Sequence, residues 1–107
     1  MGLDQFIYAR REGSEDIEVC YWRKAYDVQN WVEDNVSGYV SEAMGHMSAP
    51  LTMDQIGELY DWVLATMPAE EEKNFFDWRA PTILKLGKVL AGEARWEGFE
   101  FFYEASW

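Results

Sequence analysis

Arg23 and Lys24 are the two residues whose type and position could do chemistry. They sit inside the run Tyr21-Trp22-Arg23-Lys24-Ala25-Tyr26-Asp27-Val28-Gln29-Asn30-Trp31, which starts as the end of a strand and continues as a helix. A helix N-terminus favours anions, so two cations there oppose its dipole. Such a placement predicts a carboxylate or a bound anion nearby. In one reading Arg23, Lys24 and the helix amides hold a phosphate or nucleotide, which stacks on Tyr21, Trp22 or Trp31. In the other the cations are structural, with Arg23 paired to Asp27 one turn on or to Asp4 on the adjoining strand.

The remaining reactive side chains carry less. His46 is the one histidine and Cys20 the one cysteine, so neither has a partner at metal-ligand spacing. A triad would need His46 beside Ser41, Ser48 or Ser106, and the spacing does not bring them together. Cys20 lies in an apolar, strand-like run and reads as a small buried hydrophobe. With one cysteine no internal disulfide can form, so a reducing cytoplasm is the expected setting. The 20 acidic residues guarantee chance pairs, but none stands out in an apolar run. The expectation is no catalytic residue, no metal and no cofactor, and therefore no enzyme.

Charge narrows the partners. A formal charge of −11 on 107 residues argues against direct contact with nucleic acid, which requires a basic face. It argues equally against an anionic membrane surface. Either the acidity serves solubility, or it forms a negative surface that docks on a basic one, as a nucleic-acid mimic would. Aromatic residues make up 17% of the chain, enough to build a compact core in a single domain, 1–107. Phe75, Phe76, Trp78, Phe99, Phe101, Phe102 and Trp107 exceed what so small a core readily hides. Phe75, Phe76, Trp78 and Trp107, with the neighbouring acids Glu70, Glu71 and Glu72, are interface candidates.

The elements that must position these residues follow from period and punctuation. Leu3 to Arg10 and Ile17 to Trp22 read as two strands joined by a polar loop, which pair antiparallel. Lys24 to Val36 reads as a helix with Ala25, Val28, Val32 and Val36 as its apolar stripe. The stretch 39–50, with Gly45, His46, Ser48 and Pro50, reads mostly as loop. Thr52 to Met67 is the clearest helix. Thr52 and Gln55 fit a capping box, and Met53, Ile56, Tyr60, Val63, Leu64 and Met67 form its buried stripe. After an acidic, then aromatic stretch, Pro81 opens a third helix with Ile83, Leu84, Gly87, Leu90, Ala91 and Ala94 inward. Phe99 to Ala105 is the last strand, placed beside the first. The expected fold is α+β: a small antiparallel sheet of three strands, in sequence order ββαααβ, with about three helices packed on one face. No apolar run approaches a membrane span, and no signal peptide is expected.

Met1-Gly2-Leu3-Asp4, then Tyr21-Trp22-Arg23-Lys24-Ala25 leading to Asn30-Trp31, then Phe102-Tyr103-Glu104-Ala105-Ser106-Trp107, resemble a family of short phage and prophage proteins. The resemblance covers both ends well and the middle loosely. Some members carry the name phosphoglycerate kinase, an enzyme for which this chain is far too short and lacks a phosphate loop. Where the family often has His before its Asn-Trp pair, this chain has Gln29. The resemblance implies a phage origin and the cytoplasm of an infected or lysogenic bacterium, and names no activity. The expectation is a small acidic binding protein, a host-takeover or counter-defence factor that engages a host protein complex. The alternatives are a nucleotide or anion binder at Arg23 and Lys24, and a homo-oligomeric structural protein such as a homodimer.

Overall fold

The computed structural model describes residues 3–42, 45–66 and 79–107. In chain order its elements are β1 (Asp4–Arg10), β2 (Ile17–Arg23), α1 (Tyr26–Asn35), β3 (Val40–Glu42), β4 (His46–Leu51), α2 (Met53–Ala65), α3 (Arg79–Ala91) and β5 (Glu100–Ser106). A 3-10 turn over Glu93–Trp96 leads into β5. The described residues form an α+β fold: one antiparallel sheet in the order β2-β1-β5-β4-β3, with three helices.

The sheet therefore has five strands, not three, and the two that the sequence hides are β3 and β4. β4 does alternate, with Met47, Ala49 and Leu51 buried and His46, Ser48 and Pro50 turned away. Its small polar residues and its proline disguise that period. Pro50 is tolerated because β3 pairs only with His46, Met47 and Ser48, so the end of β4 has a free edge that needs no further amide donor. β5 pairs antiparallel with β1 from Asp4↔Ser106 to Arg10↔Glu100, which places the last strand beside the first as expected.

Period 2 assigns the inner face. Gln5, Ile7 and Ala9 on β1, Cys20 and Trp22 on β2, and Phe101, Tyr103 and Ala105 on β5 are all buried. The helices cover them. α1 contributes Val28, Trp31 and Val32; α2 contributes Ile56, Leu59 and Val63; α3 contributes Thr82, Leu86 and Val89. Burying one such large apolar side chain stabilises the fold by roughly 1.5–3 kcal/mol. Three stripe assignments are corrected. Leu64, Leu84 and Ala91 are exposed, because the buried rows run through 56, 59 and 63 on α2 and through 82, 86 and 89 on α3. Met67 and the side chain of Ala94 lie outside what the structure describes. Gly57 and Gly87 face the neighbouring helix: a Cβ on Gly57 would lie 3.8 Å from Leu90, and one on Gly87 3.5 Å from Tyr60, ordinary contacts that leave room for a methyl group.

The helix ends show how the chain changes direction. Thr52 accepts from the Gln55 N–H at 3.1 Å while Gln55 Oε1 accepts from the Thr52 N–H at 2.8 Å, completing the expected capping box. α1 begins at Tyr26, two residues later than expected, because Lys24 adopts φ 58° and breaks the path between strand and helix. The Lys24 N–H donates to Leu3 O at 2.6 Å. Ala25, the residue before the helix, has no capping side chain, and its own N–H donates to Gln5 Oε1 of β1.

Candidate functional site: the open sheet face

Residues of the other parity leave the helices and line up across the strands in rows. One row runs His46, Ser106, Asp4, Arg23. The next runs Val40, Ser48, Glu104, Phe6, Tyr21, and the third Pro50, Phe102, Tyr8, Glu18. Glu100 and Arg10 close the series. Directly opposed residues stand roughly 4.5–5.5 Å apart, so each row is a line of side chains in mutual reach. The β1–β2 register shifts by one residue between Ile7 and Tyr8, which sets Glu18 opposite Tyr8.

Four rings occupy the middle of this face. Phe6 stacks on Tyr8 with centroids 5.3 Å apart and leans on Tyr21 at 4.9 Å. Phe102 stands beside Tyr8 in register. Phe6, Tyr8 and Phe102 are half-buried and Tyr21 is exposed, so the rings form a platform. Arg10 lies on one end of it, its guanidinium 5.0 Å from the Phe102 centroid. Arg10 also donates two hydrogen bonds to Asp16, at 3.0 and 2.9 Å. That pairing holds the Asp16 carboxyl below its usual range.

The platform is electronegative. Asp4, Glu18, Glu100 and Glu104 stand in the rows against the cations Arg10 and Arg23. Asp4 accepts from the Tyr21 hydroxyl at 2.9 Å, which raises the Tyr21 pKa above its ordinary value. Tyr8 is also raised, first by partial burial and then by Glu104, Glu18 and Asp16. Among the described residues Glu104 has no ion-pair partner.

The residues expected to matter are scattered. Arg23 stands opposite Asp4 in register, one of the two structural partners foreseen for it. The other, Asp27, lies instead 3.5 Å from the Arg79 guanidinium. Lys24 is exposed, and neither cation lines one of the larger cavities. Of the rings proposed to stack on a ligand, Tyr21 belongs to the open face. Trp22 is buried and donates to Thr82 at 2.7 Å, and Trp31 is packed against Trp62 at 6.3 Å. Trp107 is docked by its backbone, its N–H donating to Gly45 O at 2.9 Å, while its ring stays half exposed. Phe75, Phe76, Trp78, Glu70, Glu71 and Glu72 lie outside the described residues.

His46 stands in register between Glu42 and Ser106, a neighbourhood that arises from the pairing of β3, β4 and β5 and not from chain spacing. Cys20 is buried as expected, and burial pushes its thiol up to about 11. A hollow of about 780 Å³ is an open cleft at the end of the sheet between Leu51, Met53, Trp96 and Phe101. It offers the hydroxyls of Ser37 and Thr52 but neither histidine nor cysteine. Among the described residues no cluster of His, Cys, Asp and Glu could hold a metal ion, and no helix is long and apolar enough to cross a membrane.

A second polar feature lies beneath the sheet. Gln5 donates to the Tyr103 hydroxyl at 2.8 Å, Tyr103 donates to Gln29 Oε1 at 2.6 Å, and Gln29 donates to Glu33 at 3.2 Å and to Met47 Sδ at 3.0 Å. Gln29 thus knits α1 to the central strand. Compared with family models, with curated proteins and with solved structures, the chain matches none.

Proposed function

We propose that this chain is a binding protein that presses the open face of its sheet against a basic surface of a partner protein. The observation that supports it is the platform of Phe6, Tyr8, Tyr21 and Phe102 with Asp4, Glu18, Glu100 and Glu104 set in register among the rings. Rings that lose water on contact supply affinity, and carboxylates steer the encounter and fix its register. The same sign of charge repels a phosphate backbone, so nucleic acid is not the direct partner. A protein surface built to hold nucleic acid has the complementary charge, which would make this chain a mimic of that ligand. The resemblance of both ends to phage proteins supplies the setting, a host-takeover or counter-defence factor acting on a host protein complex.

The test uses the tagged chain as bait in a bacterial lysate at about 0.1 M and about 0.5 M salt, on either side of strong screening. The expected result is a discrete partner retained at low salt, released at high salt, and lost in a Tyr8→Ser, Phe102→Ser double variant that remains folded. Capture that is indifferent to salt and to those two rings overturns the reading.

A further inference from the structure

We propose that Glu104 is the seat for an arginine side chain of that partner, the guanidinium lying across the Phe102 and Tyr8 rings and forking onto the Glu104 carboxylate. The inference rests on the open face being the docking surface and names the chemistry at its centre. β5 is the middle strand of the sheet, so Glu104 projects from the centre of the platform. It faces Phe6 across one ladder and Ser48 across the other. Phe102 and Ser106 lie two residues along the strand, on the same face. Glu104 is half-buried and forms no ion pair within 4 Å among the described residues, Arg10 acting on it only from farther off. Desolvating an unpaired carboxylate against a partner would be costly unless that partner brought a positive charge.

The molecule already shows what such a seat holds. Arg10 lies on Phe102 and forks onto Asp16 through both carboxylate oxygens. Arg11 lies on Phe99 at 4.6 Å. Glu104 with Phe102 and Tyr8 repeats the ring-and-carboxylate pattern next door. A guanidinium fits better than an ammonium because it is planar, stacks on rings and presents parallel donors to a carboxylate. Arginine on an extended segment of a partner protein is the occupant that matches the face in shape and charge.

The experiment uses the full chain with two capped synthetic peptides, Gly-Arg-Gly-Arg-Gly and its lysine counterpart, titrated by fluorescence at low salt. The expected result is binding of the arginine peptide about fivefold tighter than the lysine peptide. Glu104→Gln is expected to weaken the arginine peptide about tenfold and to erase the preference, while Glu58→Gln, an equal charge change on α2, leaves both unchanged. Glu104→Asp, which keeps the charge but withdraws it, should fall between. Equal affinity for the two peptides, or equal losses in Glu104→Gln and Glu58→Gln, overturns the arginine seat. If Tyr8→Ser still weakens both peptides in that case, the docking face stands without the seat. Binding of neither peptide overturns the seat, and the salt-dependent capture above then decides the face by itself.

Discussion

The Gln5 carboxamide grips the backbone of Ala25 at both of its polar groups. The Ala25 N–H donates to Gln5 Oε1 at 2.8 Å, and Gln5 Nε2 donates to the Ala25 carbonyl at 2.9 Å and to the Tyr103 hydroxyl. A residue twenty positions earlier thereby fixes where β2 stops and α1 starts. Lys24, in its left-handed conformation between them, is held there by this clamp and by its own bond to Leu3 O.

Replacing Gln5 by Leu keeps the volume and removes the clamp. Gln5 is fully buried, so the Ala25 N–H would be left without its partner. One orphaned buried polar group costs about 1–3 kcal/mol. Urea denaturation of Gln5→Leu should show a loss of roughly 3 kcal/mol, and a near-neutral result would mean that the α1 start is fixed by other contacts.

Thr82→Val tests the bond that joins the sheet to α3. Trp22 is buried and its indole N–H donates to Thr82 Oγ1 at 2.7 Å. Valine keeps the shape and removes the acceptor, so the melting curve should shift by the equivalent of about 1–3 kcal/mol. The indole emission would change with it, since Trp22 loses a polar neighbour.

Alkali should unfold the protein from within. Burial raises the Cys20 thiol to about 11 and raises the Tyr103 phenol above its ordinary value. A group whose folded pKa is raised contributes stability below its unfolded pKa and loses it as pH climbs through the folded one. For Cys20 that window runs from 9.0 to about 11, and the Tyr103 window opens at 10.0. Stability should be insensitive to these two groups up to about pH 9, then fall, with Cys20 alone accounting for roughly 2 kcal/mol by pH 11. The same burial predicts a thiol that reacts slowly with alkylating reagents at pH 8 until urea is added. Fast native labelling would contradict it.

Two glycines should respond in opposite directions. A Cβ at Gly57 would meet Leu90 at an ordinary 3.8 Å, so Gly57→Ala gains helix propensity of about 0.5–1 kcal/mol without a clash. Gly45 has φ 73° and a Cβ there would fall 2.6 Å from the Trp107 carbonyl oxygen. Gly45→Ala should therefore lower the melting temperature and loosen the docked Trp107, seen as greater quenching of its ring by acrylamide.

The parts of the fold legible in the sequence were those with a strong single signal. The alternation of Phe99 to Glu104, the capping box at Thr52 and the stripe Val28, Val32, Val36 all appear where expected. β4 was not legible because serine and proline occupy its outer positions, and β3 is too short at three residues to show a period. The open face was hidden for a related reason. Its rings and carboxylates come from three strands, and only their register makes neighbours of Phe6 and Glu104, ninety-eight residues apart in sequence. Phe102 belongs to a visible surplus of rings near the end of the chain, while Phe6 and Tyr8 look like ordinary strand residues, because an aromatic in a strand does not announce which side of the sheet it will face. Arg23 breaks a local rule if a helix starts beside it, since a cation there opposes the helix dipole. In the fold Arg23 ends β2, opposite Asp4 in register, and the helix begins three residues later at Tyr26.

The register shift between Ile7 and Tyr8 lies where β1 meets the outermost strand on its side. An extra residue there, Val19, bends the rim and spoils it as a template for a second chain. At the opposite rim β3 spans three residues and the end of β4 carries Pro50. Both margins of the sheet are thus poor starting points for end-to-end stacking into fibres, despite the high aromatic content. Deleting Val19 would restore one-to-one pairing and straighten that margin, and thioflavin-positive aggregates would be expected to follow.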